Sequence, residues 1–280
     1  MGVKVVTDSV SDIPSGVAKE LGITVVPLYV HFGTESYRDS IDLTADKFYH
    51  KLVHSNTLPS TSVPAIGTFV EVYDRLAKET DEILVITVSS KLSATYEAAS
   101  QAIGLMKRDC RVKVIDSLLA VMAEGLVVIA AAGAAKGGAG LDEMADITQR
   151  NIKRAGFRAA FDTLEYLRRG GRIGKAQAFL GSVLKVNPII TLKDGLVEPA
   201  GRERSRSRAI ENLYRFATGY SHIEGMAIED AACPDDAKVL AERLSSDFPN
   251  GHIYRVRASP VVGTHAGPGL LVVSVLGDRG

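Results

Sequence analysis

Short β-branched runs alternate with helix-patterned segments through the first half of the chain, and that alternation limits the fold more than any other feature. Lys4–Thr7, Thr24–Val30, Ile83–Val88 and Val112–Ile115 read as strands. Pro14–Leu21, Ala45–Leu52, Thr68–Glu79, Ser93–Met106 and Ala123–Lys136 read as the helices between them. Lys136-Gly137-Gly138-Ala139-Gly140 ends one helix, and Leu141–Arg154 resumes with amphipathic spacing. Strands separated by helices are joined by crossovers, which bring them together in parallel. The first half is therefore expected to form a mainly parallel sheet flanked by helices.

Beyond Gly156 the grammar changes. Phe157–Phe161 reads as a strand and Thr163–Arg169 as a short helix before a run of glycines. Asn187–Leu192 and Leu196–Ala200 flank Lys193-Asp194-Gly195, a hairpin signal. Helices over Ser207–Ala217 and Asp235–Asp247 separate strands at Ile223–Glu229, His252–Val256 and Leu270–Leu276. Hairpin and crossover connections together predict a mixed sheet. The expectation is an α/β protein with an N-terminal α/β domain over residues 1–155 and a C-terminal α/β domain over residues 156–280.

Bulk composition narrows the function classes. Lysine plus arginine and aspartate plus glutamate number 33 each, so the formal net charge is zero and no nucleic acid partner is expected. Cys110 and Cys233 are far apart and match no metal or redox spacing, which suits a reducing cytoplasm. Met1-Gly2-Val3-Lys4-Val5-Val6 enters a strand without a signal-peptide pattern. The longest apolar run, Leu118 to Ala135, is interrupted by Glu124 and rich in small residues, so it reads as a buried helix and no transmembrane segment is expected. Arg168-Arg169-Gly170-Gly171-Arg172-Ile173-Gly174-Lys175 lacks the ending of a phosphate loop. No Gly-x-Ser-x-Gly elbow and no His-Glu-x-x-His motif occurs.

Polar residues that suit a ligand cluster after strands and before helices. In an open α/β sheet the ligand lies beyond the carboxyl ends of the strands, where helix N-termini offer free N–H groups to an anion. Ser93 reads as an N-cap, serving either its own helix or a carboxylate oxygen, with the Ala94 N–H beside it. Ser62 reads as a second cap ahead of Pro64, leaving Thr61 to reach a ligand. His265 lies in the turn Val261-Val262-Gly263-Thr264-His265-Ala266-Gly267-Pro268-Gly269, between two apolar runs. Arg172, in the glycine-rich break, is either a solvated side chain or a support for His265 and a headgroup. Asp8 and Ser9 read as structural hydrogen-bonding residues at the end of the first strand.

Thr7-Asp8-Ser9, Ser60-Thr61-Ser62-Val63-Pro64, the stretch Ser89 to Tyr96, the stretch Leu164 to Gly174 and the His-Ala-Gly-Pro-Gly turn resemble, in order and spacing, the DegV family of bacterial fatty-acid-binding proteins. The resemblance runs from Thr7 to Gly269. It implies a two-domain DegV-like fold, no cofactor, and one enclosed long-chain fatty acid as ligand. It places the carboxylate at Thr61, Ser62, Ser93, Ala94 and His265. It also implies a partner, a fatty acid kinase subunit that converts the bound acid to acyl phosphate. Ala94 stands where the family usually has glycine, which keeps the N–H but narrows the approach. Two other readings remain open from the residues: a serine acyltransferase or hydrolase with Ser93 as nucleophile and His265 as base, and a carrier of another amphiphilic acid.

Overall fold

The computed structural model describes residues 2–179, 186–249 and 251–280. In chain order the first half contains β1 (Lys4–Asp8), α1 (Ser15–Leu21), β2 (Ile23–Val26), β3 (Tyr29–Phe32), β4 (Glu35–Arg38), α2 (Ala45–His54), β5 (Ser60–Ser62), α3 (Ile66–Leu76), β6 (Glu82–Thr87), α4 (Thr95–Ile103), β7 (Arg111–Asp116), α5 (Val121–Lys136) and α6 (Leu141–Arg154). The second half contains β8 (Ala155–Ala160), α7 (Glu165–Arg169), β9 (Asn187–Lys193), β10 (Leu196–Glu203), α8 (Arg206–Thr218), β11 (Tyr220–Asp230), α9 (Pro234–Asp247), β12 (Ile253–Arg257), α10 (Pro260–Ala266) and β13 (Leu271–Arg279).

Among the described residues the strands form three sheets. The first, in the order β2-β1-β6-β7, is parallel throughout. Its strands Val5-Val6 and Ile83–Ile86 are buried on both faces, as a sheet covered by helices on each side requires. The second, β10-β9-β8-β13-β11-β12, is mixed: β11 and β12 run parallel and the other neighbours are antiparallel. The turn joining β9 to β10 is Asp194-Gly195, both at positive φ (51° and 79°), the geometry that a two-residue hairpin favours. The α/β expectation of a parallel sheet followed by a mixed one is met.

A third, antiparallel sheet of three short strands, β4-β3-β5, was not foreseen. The run Thr24–Val30, read as one strand, breaks at Pro27, which has no N–H to give to a ladder. Ile23–Val26 stays in the parallel sheet, Leu28 donates its N–H to Ser9 Oγ (3.1 Å), and the chain re-emerges as β3. β4 and β5 are short and polar, so they carry no apolar alternation to mark them.

α5 ties the sheets together. Its residues Val121 to Val128 are all buried, so it is apolar around its whole circumference, as a helix packed on several sides must be. Glu124, in its first turn, is fully buried and accepts a hydrogen bond from Thr7 Oγ1 (3.1 Å). Among the described residues no helix is long and apolar enough to cross a membrane.

Candidate functional site

The carboxyl ends of β1 and β6 face the inner surface of the mixed sheet, and a cavity of about 250 Å³ lies between them. Phe157, Ala159 and Phe161 alternate along and just beyond β8 and put their side chains on one wall, joined by Ile190 and Val272. The opposite wall is Val10, Leu28, Val88, Ala120 and Val121. The outer face of the same mixed sheet packs against α8 and α9, so the two faces divide core from cavity.

Polar groups border this apolar space in one set. Thr61 and Ser62 come from β5, Ser93 and Ala94 from the segment before α4, Arg172 from the loop after α7, and His265 from α10. The structure thus brings all six residues singled out in the sequence to one cavity. A wider cleft of about 440 Å³ shares Thr61, Arg172 and His265 with it and adds Leu58, Pro59, Tyr166 and Arg169 on the outer side.

Local structure corrects three of the sequence expectations. His265 is in the last turn of a helix, α10, rather than in an open turn; Gly267 at φ 75° ends that helix. Ser259 Oγ caps α10 by accepting from the Val262 N–H, and Pro260 occupies the first turn. Ser62 is the last residue of β5, not a helix cap. Pro64 disfavours the helical conformation in the residue before it, and α3 starts only at Ile66 with no side-chain cap. Ser93 lies one residue outside the cap position of α4, which Ala94 fills, and shares a 2.8 Å hydrogen bond with Thr95 Oγ1.

His265 Nε2 and Thr61 Oγ1 share a hydrogen bond of 2.8 Å. Burial, reinforced by the Arg172 guanidinium, pushes the imidazole pKa down to about 4, so the ring is neutral at physiological pH. Arg172 is anchored by its Nε–H donating to Leu92 O (3.1 Å) and its Nη1–H to Gly170 O (2.6 Å). Ser93 and His265 border the same space, but their hydrogen bonds run to Thr95 and Thr61 respectively, so no nucleophile–base pair forms at Ser93.

Asp8 and Ser9 take the structural role expected of them. Asp8 accepts the Val10 N–H (3.0 Å) and the Val88 N–H (2.8 Å), binding the loops after β1 and β6 together. Three residues not marked in the sequence also shape the site. Asp12 accepts the Ser259 N–H and Asp39 the Val261 N–H, both at 3.2 Å, so two buried carboxyls hold the start of the helix that carries His265. His31 Nε2 shares a 2.8 Å hydrogen bond with Ser62 Oγ. Nothing local signals these pairings; they depend on which loops the fold brings together.

Three apolar stretches of the sequence, Val25–Val30, Gly125–Ala135 and Ala176–Val186, contribute unequally to the cavity. Of Val25–Val30 only Leu28 reaches the cavity. Gly125–Ala135 packs into neighbouring cores, and α5 contributes Val121 instead. Within Ala176–Val186, residues 180–185 lie outside the described residues.

Comparison with known proteins adds an independent line. A family model described as uncharacterised protein, DegV family, matches residues 2–278. Protein DegV of Bacillus subtilis is 34% identical over 277 residues, covering 97% of this chain and 98% of its own. A DegV domain-containing protein of Halalkalibacterium halodurans is 36% identical over 277 residues, 97% of each chain. Among solved structures, a DegV family protein from Thermus thermophilus, described for its fatty acid binding, matches with a TM-score of 0.91 at 33% identity, covering 99% of this chain and 100% of that one. DegV from Bacillus subtilis, described as a fatty acid binding protein, matches with a TM-score of 0.90 at 32% identity, covering 99% of both.

Proposed function

The chain belongs to the DegV family, and on that premise we propose that it is a carrier enclosing one long-chain fatty acid. The acyl chain lies in the cavity, and the carboxylate meets Thr61, Ser62, Ser93, the Ala94 N–H and His265, with Arg172 supporting the headgroup. One observation carries this reading: a cavity walled by Val, Leu, Ile and Phe side chains and bordered by hydroxyl, imidazole and guanidinium groups that come from four separate segments. The relatives described as fatty acid binding support the ligand class.

Energetics divide the work between the two ends. Each buried methylene contributes about 0.8 kcal/mol, so ten contribute roughly 8 kcal/mol before ordering costs. Hydrogen bonds to a charged group add about 1.5–3 kcal/mol each. The tail supplies most of the affinity, and the polar groups fix which end is held.

In the same reading the chain is not itself a catalyst. The cleft outside Thr61 and His265 gives a partner access to the headgroup, which suits presentation to a cytoplasmic fatty acid kinase that forms the acyl phosphate. The separate hydrogen bonds of Ser93 and His265 weigh against a serine acyltransferase.

Mass spectrometry of freshly purified protein, native and then denatured, tests the proposal. A stoichiometric free fatty acid released intact is the expected result. A protein that is empty and takes up no added fatty acid overturns it. An acyl group covalently retained on Ser93 favours the acyltransferase instead.

A further inference from the structure

The two ring nitrogens of His265 have different neighbours. Nε2 faces Thr61 Oγ1 at 2.8 Å. Nδ1 is buried and has no hydrogen-bond partner among the described residues. What it meets is Gly170: a β-carbon placed there would overlap Nδ1 and lie 2.9 Å from Cε1. Gly170 has φ −74°, an ordinary helical value that any residue adopts. Its successor Gly171, at φ 70°, is the one whose backbone favours glycine. Glycine at position 170 therefore answers to the imidazole, not to the turn.

The hydrogen that replaces a β-carbon on Gly170 points toward Nδ1. A nitrogen lone pair accommodates a C–H at that place. An Nδ1–H would abut it, and would also be a buried donor without an acceptor. The ring proton thus belongs on Nε2, where it donates to Thr61 Oγ1. That leaves the Thr61 hydroxyl hydrogen free on a residue that borders the cavity.

We propose that Gly170 is a positioning residue that fixes His265 as its Nε2–H tautomer and so leaves Thr61 as a hydroxyl donor to an anionic headgroup. The headgroup part rests on the carrier reading; the tautomer part does not. The charged groups around the ring are Arg172 and, across the outer cleft, Arg169, which is itself tied to Glu165. The low pKa of the ring, about 4, keeps the neutral tautomer in place under ordinary buffer conditions.

Long-range proton–nitrogen spectra of the delipidated, nitrogen-15-labelled full chain read the tautomer directly. His265 is expected with Nε2 protonated and Nδ1 bare; protonation at Nδ1, or averaging between the two, overturns the proposal. Binding of a fatty acid and of the alcohol of equal chain length then reads the consequence. Gly170→Ala is expected to lower the preference for acid over alcohol by about tenfold, the loss of one charged hydrogen bond. In a His265→Ala background the same change is expected to have no further effect, because the imidazole no longer occupies the space. Equal losses in both backgrounds overturn the proposal, and this cycle also separates displacement of the ring from general misfolding. Failure of both ligands to bind sinks the carrier reading while the spectrum still decides the tautomer.

Discussion

Asp8 is an acid retained for what it accepts. Its two oxygens take backbone N–H groups from Val10 and Val88, on different loops, in a fully buried setting. Burial outweighs those bonds and, with repulsion from Asp39, pushes its pKa up to about 7. A neutral amide is no substitute, since asparagine has one acceptor oxygen and would aim its NH₂ at the other N–H. Asp8→Asn is expected to destabilise the protein by about 1–3 kcal/mol, the cost of one unsatisfied buried donor. Urea unfolding measures it, and an unchanged midpoint would show that the two bonds are dispensable. This role was legible, because a polar triplet directly after an apolar strand has loops to organise. The His31–Ser62 bond was not, since it depends on β3 and β5 pairing in the register Tyr29 to Ser62 and Val30 to Thr61.

Among elements, α10 was the hardest to foresee. Its seven residues include Val261, Val262, Gly263 and Thr264, all poor helix formers, and such a segment does not hold a helix alone. Tertiary contacts hold it: Asp12 accepts from its N-cap Ser259, Asp39 from Val261 in its first turn, and the Tyr49 hydroxyl donates to Ala258 O just before it. Gly263 lets the helix settle on α2, where an added β-carbon would lie 2.6 Å from both Phe48 Cε1 and Tyr49 Oη. Gly263→Ala is therefore expected to cost about 1–3 kcal/mol as an overpacked contact. Because the displaced helix carries His265, the carrier reading expects lipid retention to fall as well. Thermal melting and lipid retention after purification check the two effects, and a loss of stability with full retention would mean that α2 yields instead. Long elements with clean periodicity, such as α6 at Leu141–Arg154, were by contrast readable to the residue.

At the level of the whole molecule, the parallel and mixed sheets could be read from their own strands, but not the way they face each other. The cavity walls have the composition of a core, so a sequence does not tell filled space from empty. The junction also collects five buried acids, Asp8, Asp12, Asp39, Glu124 and Glu229, whose gathering in one place no local pattern announces. Burial raises all of them, Asp39 to about 6, Asp8 and Glu229 to about 7, and Asp12 and Glu124 well above their usual range; Asp12 is raised further by the facing Glu229. Unfolded, they titrate near ~4. Between roughly pH 4 and 7 the native state consequently binds more protons than the unfolded chain, and stability falls as pH rises through that window. His265, lowered to about 4, acts in the opposite sense, but it is one group against five. The exposed acids held down by arginine, Asp42 and Glu165 at about 2, lose their contribution only at lower pH. Lowering the pH from about 7.5 to about 5.5 should therefore raise the melting temperature. Asp39→Asn should flatten that slope, since it removes one of the titrating groups, whatever it does to stability itself. A melting temperature that falls over the same interval would mean that these carboxyls ionise in place, with their charge accommodated by the backbone N–H groups around them.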